Sequence, residues 1–422
     1  NKSVTLDLEN KFMNYFLGVP SIKSDKGINN RRGNPQGKYY TKERIDEIFK
    51  EAWKKLNHEE PNLFPDFKII KNSALFKSSP FKELSESQNK AQKQIIMRIE
   101  ETISQEKDAL ILVTGNAGSG KTVLLSSVFY NLQLESKGED NVLLNGLKSF
   151  VLVNHNEQLS VYKQISRKIG LDEQQIMKPN SFLKKYEGEK VDIVIVDEGH
   201  LLATRNGQAF PKKYGSTQLE ALKKIAKVVV LVFDEHQILT GEQFVDREEI
   251  SILINEANLE NKLIELHDQH RMQMSVKTNN WLNDFIWKHK INEIPNDDKY
   301  DLKIFDSPSK MYEAIRSKSD DEAYGLSRML ASYDWDWKAD GQKWCVNIKD
   351  FSLPWNYYYT NVKNNIPWAE NPKSIAEVGS TFTIQGFDLN YVGVIIGPSV
   401  KYDPQSCLLY TSPSPRDRSL SR

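Results

Sequence analysis

The chain is poor in cysteine, with only Cys345 and Cys407 among 422 residues. That excludes a disulfide framework and makes a reducing cytoplasm the expected compartment. Nothing around Cys345 suggests a metal site or a nucleophile. Net charge is also lacking, with 57 basic residues against 57 acidic. Bulk basicity therefore cannot hold a nucleic acid, and any such binding needs a local patch or groove. No apolar run approaches the ~20 residues that cross a bilayer. No charged-then-apolar start reads as a signal peptide, so no membrane partner is expected. Internal repeats are missing too. The first residue is Asn1 rather than Met, and the chain is expected to begin inside a longer reading frame. What remains is ordinary: 39% hydrophobic and 27% charged residues. At ~100–200 residues per domain the length predicts two or three domains.

One stretch stands apart. "CLLYTSPSPRD", residues 407–417, resembles the translation of a sequencing-library adapter. Residues 407–422 are therefore set aside as an artefactual tail, and the natural sequence is expected to run on past Ser406.

The strongest signal is "VTGNAGSGKTVLL", residues 113–125. Gly115, Asn116, Ala117, Gly118, Ser119, Gly120, Lys121 and Thr122 fit G-x-x-x-x-G-K-[ST]. Glycines let the backbone turn tightly and aim several N–H groups at phosphate oxygens. A following helix adds its positive end. Lys121 can reach the β and γ phosphates, and the Thr122 hydroxyl can ligate Mg²⁺. The context agrees: the apolar strand "ALILV" precedes the loop, and a helix-like pattern at Leu125, Val128, Phe129 and Leu132 follows it.

"VDIVIVDEGHLL", residues 191–202, is the second element. A buried strand reads as a β-branched run, and its carboxyl end is where α/β sheets bind ligands. Asp197 would serve the Mg²⁺ shell, and Glu198 would orient or deprotonate the attacking water. His200 reads equally as a coupling residue or as a satisfied helix-start histidine. The runs "SFVLVNH", "KVVVLVFD" and "NKLIELH" alternate with amphipathic stretches. That alternation predicts a parallel sheet covered on both faces by helices. No N-K-x-D tetrad is present, which disfavours a GTPase.

Three further residues follow strand-like runs in order. Gln237 lies just past "VFD", Arg271 follows "LIELH", and Gln385-Gly386 precedes "YVGVIIG". An amide near the γ-phosphate could report hydrolysis, and a fixed guanidinium could reach it.

With these motifs in view, the chain resembles a superfamily 1 nucleic-acid helicase. More closely, it resembles the Schlafen group 3-like DNA/RNA helicase domains, over residues 71–406. The resemblance implies that Gln88 in "LSESQNKAQ" reads the adenine edge. It implies that Asn154, His155 and Asn156 in "LVNHNEQL" contact nucleic-acid backbone, as a weaker assignment. Asp197 and Glu198 match Walker B, Gln237 the third motif, Arg271 the fourth and Gln385-Gly386 the fifth. A second-lobe arginine that such helicases place after the Gln-Gly strand has no counterpart before Ser406. Arg416, Arg418 and Arg422 fall in the tail and are not assigned to that role. The chain as written is therefore expected to bind Mg-ATP but hydrolyse it slowly. Some relatives carry a GIY-YIG nuclease. No such signature is present here, so any nuclease domain would lie upstream of Asn1.

The expected fold class is α/β: two RecA-like P-loop lobes, parallel sheets flanked by helices, after a small mainly helical region. The boundaries expected are 1–79 for the helical region, 80–260 for lobe one and 261–406 for an incomplete lobe two. "TKERIDEIFKEAWKKL" predicts an amphipathic helix with Ile45, Ile48, Phe49 and Trp53 on one face. Residues 21–44 read as a polar loop, with Arg31 and Arg32 in it. The many aromatics of lobe two read mainly as core, with Trp355 singled out for base stacking. The function expected is an ATP-dependent helicase or translocase on DNA or RNA, with single strands as the expected partner. The alternative is an ATP-switched binding module that unwinds nothing. Oligomeric state is not legible.

Overall fold

The computed structural model describes residues 2–19, 21–22, 39–40, 42–67, 70, 74–115, 118–138, 141–204, 217–234, 247–266, 274–320, 326–338, 340–357, 368–384, 389–403 and 408–411. The chain divides into two compact units, Asn1–Arg271 and Met272–Arg422.

The first unit opens with two helices, α1 (Lys2–Leu17) and α2 (Ile45–Glu59). Helix α2 buries Ile45, Phe49 and Trp53 of the expected stripe and leaves Ile48 half-buried. The stripe meets α1 in an aromatic cluster, where Phe12 stacks on Trp53 with ring centroids 5.8 Å apart. Large rings supply much apolar area per residue, which suits so small a core. The cluster is tied to the sheet domain by Lys168, whose buried ammonium donates to the carbonyls of Leu17 (2.7 Å) and Val19 (3.1 Å). A cation at the carboxyl end of α1 meets the negative end of the helix dipole. Burial still pushes the Lys168 pKa down to about 8.

The sheet domain continues with α3 (Glu86–Ser104), β1 (Ala109–Gly115), α4 (Lys121–Glu135), β2 (Ser149–Val153) and α5 (Asn156–Ile169). Then come β3 (Ile176–Met177), α6 (Pro179–Lys185), β4 (Val191–Asp197), α7 (Gln218–Ile225), β5 (Ala226–Phe233), α8 (Arg247–Leu259) and β6 (Leu263–Leu266). The six strands form one parallel sheet in the order β3-β2-β4-β5-β1-β6. Strand residues alternate between two cores, as a period of two requires. Ile111, Val113, Val151, Ile195 and Val230 pack with Ile95, Ile99, Leu124 and Val128 of α3 and α4. Leu112, Phe150, Val194, Val229 and Leu231 pack with Phe182, Leu222 and Ile250 of α6, α7 and α8. Burial on both faces explains the unbroken apolar runs of the sequence.

Strand β6 pairs with β1. The first sheet thus extends past the expected boundary at 260, and the division falls after Arg271. Strand β6 lies at the sheet edge with Glu265 exposed and Ile264 and Leu266 buried, and its short apolar run carries no sign of the sheet to which it belongs.

The second unit is built on α9 (Val276–Trp287), α10 (Pro308–Asp320) and β7 (Ser327–Ala331). Strands β8 (Cys345–Ile348) and β9 (Phe351–Pro354) form an antiparallel hairpin. Strands β10 (Val378–Gly379) and β11 (Tyr391–Ile395) flank β7 in a parallel three-stranded sheet ordered β10-β7-β11. Strand β12 (Val400–Asp403) pairs antiparallel with β13 (Leu408–Thr411). The segment set aside at 407–422 thus contributes one strand, where Leu408, Leu409 and Tyr410 offer residues suited to a ladder. Trp355 and Trp368 are fully buried. Trp355 sits in the core with Val346, Phe351 and Val378, which corrects its assignment to base stacking: a ring without exposed surface cannot stack on a base. Among the described residues no helix is long and apolar enough to cross a membrane.

Candidate functional site

The carboxyl ends of β1, β4 and β5 lie side by side, with β5 between the other two. Each ends in chemistry. Strand β1 runs into the phosphate-loop sequence, β4 into Asp197-Glu198, and β5 into Asp234.

Gly118 and Gly120 carry φ of 88° and 79°, left-handed conformations that glycine adopts without a Cβ clash. Gly120 caps α4, so the loop delivers Lys121 and Thr122 to the first turn of a helix. Lys121 is 8% exposed. Its ammonium donates to the Gly115 carbonyl at 2.6 Å and to Asp234 Oδ2 at 3.1 Å. Asp234 is itself 2% exposed, so the pair lies where a charge needs a counter-charge. Asn116 and Ala117 lie outside the described residues.

Asp197 is 1% exposed. Burial raises its carboxyl pKa, and hydrogen bonds from Tyr162 and the Glu198 N–H together with the Lys121 charge pull the other way. Glu198 follows in a left-handed conformation, φ 53° and ψ 53°, a strain that non-glycine residues keep where the surroundings enforce it. The next residue must be glycine. A Cβ on Gly199 would meet Leu231 of β5 and lie 2.8 Å from the Val232 carbonyl. The tight approach presses the turn after β4 onto β5.

His200 is 1% exposed, with Nε2 3.5 Å from Glu198 Oε2. Neither ring nitrogen makes a hydrogen bond among the described residues. Burial lowers its pKa to about 4, with Asp234 opposing and Lys121 and His155 adding to the shift. The ring is therefore neutral at pH 7, and its contact with Glu198 is not an ion pair. His155 is held down to about 4 by burial and by Lys178.

Gln88 does two jobs inside the protein. Its Oε1 accepts from the Ser85 N–H at 3.0 Å, completing a capping box at the start of α3. Its Nε2 donates to the carbonyls of Ser119 (3.2 Å) and Gly120 (3.4 Å). It thus braces the phosphate loop from behind, with both ends of the amide engaged. Of the expected nucleic-acid residues, Asn154 donates to the Leu201 carbonyl at 2.7 Å, and its amide holds the turn after β4. His155 is partly buried, and only Asn156 is exposed. Gln237, Arg271, Gln385 and Gly386, like Arg31 and Arg32, lie outside the described residues.

Three site residues were missed by sequence reasoning. Asp234 closes the apolar run of β5, and that signal was available. Gln158 and Tyr162 project from α5 onto Asp197 Oδ2, at 2.6 and 2.9 Å. Only their spacing of four hinted at a shared helix face.

The donor set fits a hard divalent cation. Thr122 and Asp197 offer oxygens, and Gln158 Nε2 spans both, lying 3.5 Å from Thr122 Oγ1. Among the described residues no group of three or more His, Cys, Asp or Glu side chains could hold a metal. Such a cation would complete its shell from phosphate and water, as Mg²⁺ does.

The model of the family described as Schlafen group 3, DNA/RNA helicase domain matches residues 108–421. The Saccharomyces cerevisiae protein named Uncharacterized protein YPL245W is 35% identical over 352 residues, covering 76% of this chain and 76% of that protein. The solved Structure of Drosophila ORC bound to DNA aligns at 18% identity with a TM-score of 0.21, over 44% of this chain and 51% of that one. The chain thus spans about half the length of that solved chain, and so slight an overlap carries no argument. The family match covers most of the sequence, and the chain belongs to the Schlafen group 3, DNA/RNA helicase domain family, with the nucleotide-binding, helicase-like role which that membership carries.

Proposed function

We propose that the chain hydrolyses ATP and couples the hydrolysis to movement along DNA or RNA, single strands being the track. One observation supports this most: at the edge where β1, β5 and β4 end, Lys121 and Asp234 pair beside Asp197 and Glu198. A cation-binding carboxylate, a water-directing carboxylate and a phosphate-binding ammonium then share one wall.

In this reading the loop N–H groups and Lys121 hold the β and γ phosphates. Bound Mg²⁺, held through Thr122 and Asp197, would offset the charge of the phosphate oxygens. Glu198 orients the attacking water and accepts its proton as the bond to ADP breaks. The strained backbone and the tight turn at Gly199 fix where that carboxylate points. Gln237, Arg271 and Gln385-Gly386 would sense the γ-phosphate and pass its loss to the nucleic-acid grip, a proposal that rests on their order in the sequence. Alternating grip then yields stepping.

The test is ATP turnover by the full chain, titrated with single-stranded DNA and RNA, alongside strand displacement. The proposal expects stimulation by at least one nucleic acid. A rate indifferent to both, across several lengths, would instead favour an ATP-switched binding module.

A further inference from the structure

Asp197 is gripped from α5. Gln158 Nε2 and Tyr162 Oη, one turn apart, both donate to Oδ2, and the Glu198 N–H donates to Oδ1 at 3.0 Å. Three donors fix the rotation of the carboxylate. An ionised carboxylate only accepts, so the Gln158 amide must present its nitrogen to Asp197. Its oxygen is then left over. Gln158 is 3% exposed, and Oε1 makes no hydrogen bond among the described residues. A buried acceptor is ordinarily paired, so an orphan beside a ligand site points to a donor that arrives with the ligand. The same amide nitrogen lies 3.5 Å from Thr122 Oγ1. Gln158 therefore stands between the two groups assigned to the cation.

We infer that Gln158 is a positioning residue of the divalent-cation site, its Oε1 accepting a hydrogen bond from a water in the cation's shell while its Nε2 orients Asp197. Tyr162 is its partner in holding the carboxylate. Its hydroxyl donates to the same Oδ2 from 2.9 Å. The inference rests on the proposal that Thr122 and Asp197 hold Mg²⁺. It adds that α5, an element outside both phosphate-site motifs, sets how tightly the cation is held.

The experiment uses the full chain and a fluorescent, non-hydrolysable ATP analogue. Its affinity is measured in EDTA and then across a MgCl₂ titration, for the wild type, Gln158→Leu and Tyr162→Phe. Outer-sphere partners are worth about 10–100-fold in metal affinity, so Gln158→Leu should raise the half-effective Mg²⁺ concentration by about that factor. Its affinity in EDTA should stay within about two-fold of wild type, since the phosphate contacts are untouched. Tyr162→Phe, which removes one oxygen, should move the Mg²⁺ midpoint the same way by less. It carries the test alone if Gln158→Leu fails to fold. An unchanged Mg²⁺ midpoint in a folded variant overturns the inference and leaves the cation site standing. Equal weakening with and without Mg²⁺ overturns it as well, by showing a packing role. A wild type whose analogue affinity ignores Mg²⁺ removes the cation site itself.

Discussion

Both units bury charge, but at opposite ends of their strands. In the first, Lys121, Asp197 and Asp234 gather where β1, β4 and β5 finish. In the second, Arg328 is 3% exposed at the amino end of β7. Its guanidinium donates to Ser374 Oγ at 2.6 Å, the Ser327 carbonyl at 2.8 Å, the Asn371 carbonyl at 3.0 Å and Ser319 Oγ at 3.3 Å. Those partners lock loops to a strand. Nearby, Glu377 accepts from the Trp368 indole at 3.0 Å. Burial of charge alone therefore does not mark a site. Charge at the carboxyl ends of parallel strands makes the stronger candidate, because there the loops open and helix N-termini converge.

The sharpest way to break this contrast is Glu198→Gln. Removing the proton acceptor should cost about 10²–10⁴-fold in ATP turnover, while nucleotide affinity stays close to wild type. A variant that still turns over ATP at the wild-type rate would mean the acidic pair of β4 does no chemistry. Next comes Trp355→Ala. Truncating a fully buried Trp should destabilise by about 3–5 kcal/mol, read as a lowered unfolding midpoint for the second unit. ATP should still bind in a folded sample, because the loop that carries Lys121 belongs to the other unit. If Trp355→Ala left stability intact but cost single-strand affinity, the ring would be a stacking platform after all.

Acid sharpens the comparison differently. His155 and His200 titrate near 4 in the folded chain, below the ordinary 6.5. The unfolded chain thus binds more protons between those values. Their contribution is complete above pH 6.5 and is lost as pH falls toward 4, by at most about 3 kcal/mol for each histidine. The raised Asp197 carboxyl works the other way and returns part of that loss. Denaturant unfolding between pH 7 and 4.5 should show the first unit weakening, and His200→Phe should flatten the slope. An unchanged slope would mean that the folded ring takes up its proton at the ordinary pH. The smallest effect expected is from Ser85→Ala, which removes one half of a capping box and should cost about 1 kcal/mol.

Much of the first unit was legible because parallel strands buried on both faces write themselves as apolar runs, and the phosphate loop has an obligatory spacing. Its limits are equally physical. Gln158 and Tyr162 matter only because the strand order brings α5 over the end of β4, and spacing within one helix cannot reveal that. Ser-x-x-Gln at Gln88 spells the capping box that forms at the start of α3, a role separate from the adenine contact that the resemblance implies. Trp355 drew attention as an aromatic in a polar turn. Its burial depends on Val346, Phe351 and Val378, which lie on three different strands. Strand β6 carried no mark of its sheet, so the lobe boundary was set too early.

The central claim is that one wall, built at the ends of β1, β4 and β5, binds and splits the nucleotide. Lys121→Ala tests it most directly, through steady-state ATP turnover by the full chain at saturating single-stranded nucleic acid. The account predicts a loss of about 10²–10³-fold or more in the folded variant, the scale of removing a donor aimed at transition-state charge, with a lowered unfolding midpoint as well, because Asp234 loses its buried counter-charge. Turnover at the wild-type rate in that variant would contradict it.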